Sequence, residues 1–94
     1  MARDETSTHL QFGRIKTASE LGQMIRAFRK HQHLTLEKVS GLSNLSMRFL
    51  SELERGKETA ELGKALAALN KLGLEVIIQP RGFNPSSKTK ESRS

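Results

Sequence analysis

Between Asn44 and Lys57 the chain carries a run of side chains whose chemistry is that of reading an edge rather than breaking a bond: Ser46, Met47, Arg48, Ser51, Glu52 and Lys57. Arg48 offers a planar fork of donors that matches the acceptor edge of guanine, a contact worth about 1–3 kcal/mol of discrimination when bidentate. Ser46 and Ser51 bring hydroxyls for phosphates or bases, Met47 an apolar end that fits a thymine methyl, and Glu52 an acceptor for a cytosine amino group. Lys57, and Lys38 upstream of the run, are point charges suited to phosphates. Catalytic chemistry has no comparable set. There is no cysteine, no Ser/His/Asp arrangement with supporting context, no glycine-rich phosphate loop and no carboxylate pair outside helix faces. His31 and His33 form an H-x-H, but further ligands are limited to distant His9 and scattered carboxylates, so a solvated loop is the preferred reading over a metal site. The expectation is a protein that is not an enzyme and that takes no cofactor and no metal.

Two short helices joined by a tight turn can present that run. Thr35 is a good N-cap, and Leu36, Val39 and Leu42 recur after it at helical spacing. Asn44 stands where the chain must turn, and Asn tolerates a left-handed backbone. Leu45 plugs the turn, Ser46 caps the next helix, and Leu50 and Leu53 give that helix its inner face. Gly56 stops it. Apart from Phe49, the side chains between cap and stop have no obvious place in a core. The layout predicts a helix-turn-helix whose second helix enters a DNA groove.

With those residues in view, the segment resembles the helix-turn-helix of the lambda-repressor-like (Xre) family. Val39, Leu45, Leu50 and Leu53, the small Ser40 and the closing ERGK at Glu54 to Lys57 stand where that family has them. Asn44 replaces the usual Gly of the turn. Ser43 occupies a position more often apolar or Ala, which predicts looser packing beneath the turn. The resemblance spans Ser19 to Leu74. The longer run RFLSELERGK, followed by LNKLGLEVIIQP from Leu69 to Pro80, narrows it to the HipB-type antitoxins, which follow this domain with one terminal β-strand. It implies an ion pair between Arg29 and Glu54, tying the first helix to the end of the recognition helix. It further implies a homodimer on a palindromic operator and a HipA-like serine/threonine kinase toxin as partner.

The remaining elements follow in order. Residues 1–16 are expected to be a flexible arm, in which His9 to Lys16 reads as a short strand, a partner-ordered segment or plain coil. Thr17 opens a capping box with Glu20, and Leu21, Met24, Ile25 and Phe28 form one apolar stripe, so a helix should run to about Lys30. Thr59 is the expected cap of a later helix with Leu62, Ala65, Leu66, Leu69 and Leu72 facing inward, stopped by Gly73. Leu74 to Gln79 alternates as a strand, with Leu74, Val76 and Ile78 on one side. A lone strand exposes an unpaired edge, and pairing with the same strand of a second copy removes it.

The predicted fold is therefore mainly α, a lambda-repressor-like bundle of four to five helices with one C-terminal strand pairing across a homodimer. Its expected parts are the arm at 1–16, the DNA-binding domain at 17–73, the dimerisation strand at 74–80 and a disordered basic tail at 81–94. Only 35% of the 94 residues are hydrophobic, and the aromatics are four Phe, so one core barely suffices and dimerisation would enlarge it. The net charge of +6 is weaker evidence for nucleic acid than it looks. Residues 81–94 hold four basic groups against one acidic, while residues 17–79 hold nine against seven. No apolar run approaches the ~20 residues of a membrane span, and the N-terminus lacks an apolar signal region, so a cytoplasmic, nucleoid-associated protein is expected. The functional expectation is a sequence-specific transcriptional repressor that is also the antitoxin of a kinase toxin and autoregulates its operon. A stand-alone Xre-family repressor fits the same residues. A protein-interaction module that kept the fold is the third reading, because neither Met47 nor Glu52 is a usual base reader.

Overall fold

A computed structural model describes residues 13–82 of the chain. The expected arm as far as Phe12 and the expected tail from Phe83 lie outside the described residues. Four helices are present among those described: α1 (Ala18–His31), α2 (Leu36–Ser43), α3 (Met47–Glu54) and α4 (Leu62–Leu72). No helix among these residues is long and apolar enough to cross a membrane.

Each of the first three helices starts on a side-chain cap that the local sequence supplies. Thr17 Oγ1 accepts from the Glu20 N–H at 3.0 Å while Glu20 Oε1 accepts from the Thr17 N–H, closing the capping box. Thr35 and Ser46 accept from Lys38 and Phe49, each at 3.0 Å. The fourth helix departs from expectation. Its N-cap is Glu61, which makes no side-chain cap bond, and not Thr59.

The bundle is built by α1 packing on α3, α3 on α2, and α2 on α4. Ile25, Val39, Leu50, Leu53, Ala65, Ala68, Leu69 and Leu72 meet at the centre. Burying each large aliphatic side chain contributes about 1.5–3 kcal/mol. Three expected core residues are not there. In α4 the buried stripe is Ala65, Ala68, Leu69 and Leu72, and Leu62 and Leu66 are 70% and 43% exposed. At ~100° per residue, Leu66 lies roughly 110° round the helix from the middle of that stripe. Small Ala65 and Ala68 let α4 approach closely, and this sets the phase. Leu42 is likewise exposed, on the part of α2 that neither α3 nor α4 covers.

The join of α1 to α3 rests on two features. Gly22 has no room for a side chain: a Cβ there would stand 2.5 Å from the carbonyl oxygens of both Leu53 and Glu54. Seven residues on, Arg29 donates from Nε and Nη2 to the two Glu54 carboxylate oxygens at 2.6 and 3.0 Å, and from Nη1 to the Leu34 carbonyl at 2.6 Å. The side chains of this pair are 9% and 7% exposed, so it is a buried bidentate bridge and not a surface contact. A further tie, Gln32 Nε2 to the Leu72 carbonyl at 3.2 Å, joins the end of α1 to the end of α4.

After Gly73, whose φ of 90° ends α4, Leu74 packs against the core and the chain continues to Pro80 with no regular secondary structure. The strand expected at Leu74 to Gln79 is thus not formed among the described residues. A strand exists only as part of a hydrogen-bonded ladder, and among the described residues no other segment lies alongside to complete one. Gly13 to Lys16, the described end of the arm, is also without regular structure.

Candidate nucleic-acid interface

The turn between α2 and α3 decides how α3 is presented. Asn44 adopts the left-handed conformation (φ 63°, ψ 29°), which reverses the chain within three residues. Its neighbours close the turn with their own hydroxyls. Ser40 Oγ donates to the Leu45 carbonyl at 2.6 Å, and Ser43 Oγ donates to the Val39 carbonyl at 2.7 Å while accepting from the Leu45 N–H. The half-buried Ser43 hydroxyl, with both partners satisfied, ties the turn by hydrogen bonds where an apolar residue would only fill it. At the far end Gly56 has φ 87° and sits with Ser19 Cα 2.7 Å from where a Cβ would be, so the exit from α3 passes close over the start of α1.

Leu50 and Leu53 hold α3 on the core, and half-buried Phe49 packs at its edge with the Lys64 ammonium 5.9 Å from its ring centroid. The opposite face is polar and open. Ser46 sits at its start, its oxygen used by the cap and its O–H still free to donate. Met47 is 47% exposed. Arg48, in the first turn, has its side chain 86% exposed.

Three of the candidate residues converge. Glu52 receives Arg48 Nε on Oε2 at 3.2 Å and Lys57 Nζ on Oε1 at 3.0 Å. Its carboxyl is held below the ordinary glutamate value by the Lys57 hydrogen bond first and the Arg48 hydrogen bond second. Ser51 is engaged separately, its hydroxyl accepting from Arg55 Nη1 at 2.6 Å. Arg55 was not singled out from the sequence. Its spacing of four from Ser51 was the available signal. The exposed cations Arg48, Arg55 and Lys57 form a rim in which Glu52 pairs with Arg48 and Lys57, while Arg55 is held by Ser51. Lys38 is exposed on the first turn of α2, outside this cluster, with no ion pair among the described residues. Arg29 and Glu54 lie behind α3, buried in the scaffold, and present nothing to a ligand.

His31, the last residue of α1, and His33, in the turn after it, are both exposed, and among the described residues no three His, Cys, Asp or Glu side chains gather as a metal site would need. Beyond α4, Val76, Ile77 and Ile78 are 55%, 72% and 93% exposed. The expected dimerisation residues therefore divide, with Leu74 on the core and Val76 and Ile78 in the open.

No protein-family model matches the chain. It is 39% identical over 69 residues to the uncharacterized HTH-type transcriptional regulator y4mF of Sinorhizobium fredii, a match covering 73% of this chain and 91% of that protein. It is 30% identical over 76 residues to the transcriptional regulator ClgR of Mycobacterium tuberculosis, covering 79% of this chain and 68% of that one. Among solved structures, the protein chain of a "HipB-O4 20mer complex" superposes with a TM-score of 0.70 at 16% identity, over 74% of this chain and 99% of that one. At that identity the likeness establishes the fold.

Proposed function

The chain belongs to the HTH-type transcriptional regulators, and we propose that within them it is a homodimeric, sequence-specific repressor that serves as the antitoxin of a HipA-like serine/threonine kinase toxin and autoregulates its operon. The observation that carries the DNA-reading part is the placement of Arg48. Its guanidinium stands almost fully exposed in the first turn of α3, the part of a recognition helix that meets base edges, and Glu52 occupies only its Nε. The terminal fork remains open to a guanine. Ser46 and Met47 flank it, and Lys57 and Lys38 are the phosphate contacts of this reading.

One helix-turn-helix covers a half-site, so a palindromic operator needs two copies about 34 Å apart. Support for the second copy comes from Val76, Ile77 and Ile78, which leave an apolar segment in water, and from Leu62 and Leu66, which leave another on α4. In the proposed dimer Leu74, Val76 and Ile78 belong to a two-stranded sheet shared between protomers. The antitoxin role is supported by the superposition on HipB and by this C-terminal apolar segment. A stand-alone repressor is favoured instead by the relatives, whose names describe transcriptional regulators. Co-expression with the kinase reading frame nearest its own separates the two, since an antitoxin must co-purify with it.

The DNA-reading assignment is tested by enriching a site from a random duplex pool and titrating it in a gel shift. Arg48→Ala should lose about 1–3 kcal/mol on the enriched site. Unchanged affinity overturns the role given to Arg48.

A further inference from the structure

We infer that Glu52 is a positioning and specificity-determining residue: its single carboxylate sets the pose of Arg48 and partly neutralises the DNA-facing rim, so that the protein grips arbitrary duplex weakly. The inference rests on the DNA-reading role proposed above and assigns a new task within it.

Three observations carry it. The first is that Glu52 is the sole carboxylate among the described residues bonded to the rim's cations, with one oxygen on Arg48 and the other on Lys57. An acidic side chain on a surface meant for phosphate is otherwise a liability, since it repels the ligand. The second is its depth. The Glu52 side chain is 23% exposed beneath partners that are 86% and 46% exposed, so both cations reach outward past it. It lies under the rim and does not compete for the groove. The third is which atom it takes. Glu52 holds Arg48 by Nε, leaving the Nη1 and Nη2 donors that a bidentate base contact requires. Arg carries large rotamer freedom, and a side chain already docked by its Nε loses less of it on meeting a base.

Stability does not explain the arrangement. Exposed ion pairs contribute little to folding, and α3 is already held by Leu50, Leu53 and the buried Arg29–Glu54 bridge. The electrostatic consequence is larger. Affinity for arbitrary duplex comes almost wholly from phosphate charge and the counterions it releases, with a log–log salt slope of about 0.9 per cation engaged. A carboxylate shared by two cations removes about one such unit. Operator affinity suffers less, because the same carboxylate preorganises the residue that reads the base. Its net effect is on the ratio.

The test uses the full chain with Glu52→Gln, which keeps the shape and removes the charge, and Glu52→Asp, which keeps the charge. Probes are a duplex of scrambled sequence and a duplex carrying the enriched site, each titrated by fluorescence anisotropy across a salt series. Glu52→Gln should bind the scrambled duplex roughly fivefold to tenfold more tightly at ~0.1 M salt, with a slope steeper by about one unit. Its gain on the enriched site should be smaller, so the ratio of the two affinities falls. Glu52→Asp should keep the wild-type slope, and both variants should stay folded with only the small loss of stability that an exposed ion pair accounts for. An unchanged scrambled-duplex affinity for Glu52→Gln, an equal gain on both duplexes, or an Asp variant that behaves like Gln overturns the inference. Failure of the underlying reading looks different: the folded wild-type chain then enriches no sequence and does not bind the scrambled duplex.

Discussion

The Arg29–Glu54 bridge can be cut from either side, and the structure sets how much each cut should cost. Arg29→Met leaves the Glu54 carboxylate, 7% exposed, without its two donors. Glu54→Leu leaves a guanidinium that is 9% exposed with one remaining partner, the Leu34 carbonyl. Stranding a buried charge in this way costs about 3–5 kcal/mol, against a total stability of about 0.05–0.15 kcal/mol per residue for a domain of this kind. Either single variant should therefore melt at least roughly 12 °C lower, taking about 4 °C per kcal/mol as the minimum for a chain this small. The double variant is the informative one. It replaces both charges with apolar side chains of similar size and strands neither, leaving only the Leu34 carbonyl short of a donor, a loss of about 1–3 kcal/mol. The double variant should thus be more stable than either single variant. Urea unfolding followed by circular dichroism, at one fixed protein concentration because any dimer links stability to concentration, measures all four proteins. Losses that simply add in the double variant, or a single loss under about 1 kcal/mol, would refute the claim that this bridge fixes α1 to α3.

Three other predictions follow from the same geometry. Gly22→Ala should gain about 1 kcal/mol of helix propensity but lose more, because its Cβ would press on two backbone carbonyl oxygens that have no rotamer to escape into; a thermal melt at or above wild type contradicts this. By NMR titration the Glu52 carboxyl should protonate below the ordinary glutamate range and move back toward it in Lys57→Ala more than in Arg48→Ala. Its pKa is depressed on folding, so what the cluster adds to stability is present at neutral pH and disappears as pH falls through the depressed value. A shift that ignores Lys57 rejects the assignment. Val76→Asp should leave a helical protein that sediments as a monomer at micromolar concentration and loses tight binding to a palindromic site. A monomeric wild type, or a variant that still dimerises and binds, rules out the C-terminal segment as the dimer element.

Much of this protein is written in near-neighbour chemistry, and that part was legible without a structure. Thr17 with Glu20, Thr35, Ser46, the left-handed Asn44 and the stop at Gly56 each act within four residues, so helix starts, the turn and the end of α3 could be read from residue type and spacing. Arg29 and Glu54 are 25 residues apart, and only the family resemblance suggested that they meet.

What the tertiary structure decided is which edges are covered and which polar groups share a partner. Periodicity gives the phase of apolar positions relative to one another, yet it does not say where along the stripe a neighbouring helix will land. Leu42, Leu62 and Leu66 fit the pattern and are exposed because α2 and α4 meet over Val39, Ala65 and Ala68 instead. Gly22 carries no side chain to announce its role, which exists only because α3 ends against it. Arg48, Glu52 and Lys57 could each be named as a DNA contact from the sequence, but Lys57 lies beyond the helix stop. Its return to Glu52 depends on the turn at Gly56. Leu74 to Gln79 marks the limit of both. Alternation there shows the capacity to be a strand, but a ladder is a property of two segments, and no second segment pairs with it among the described residues.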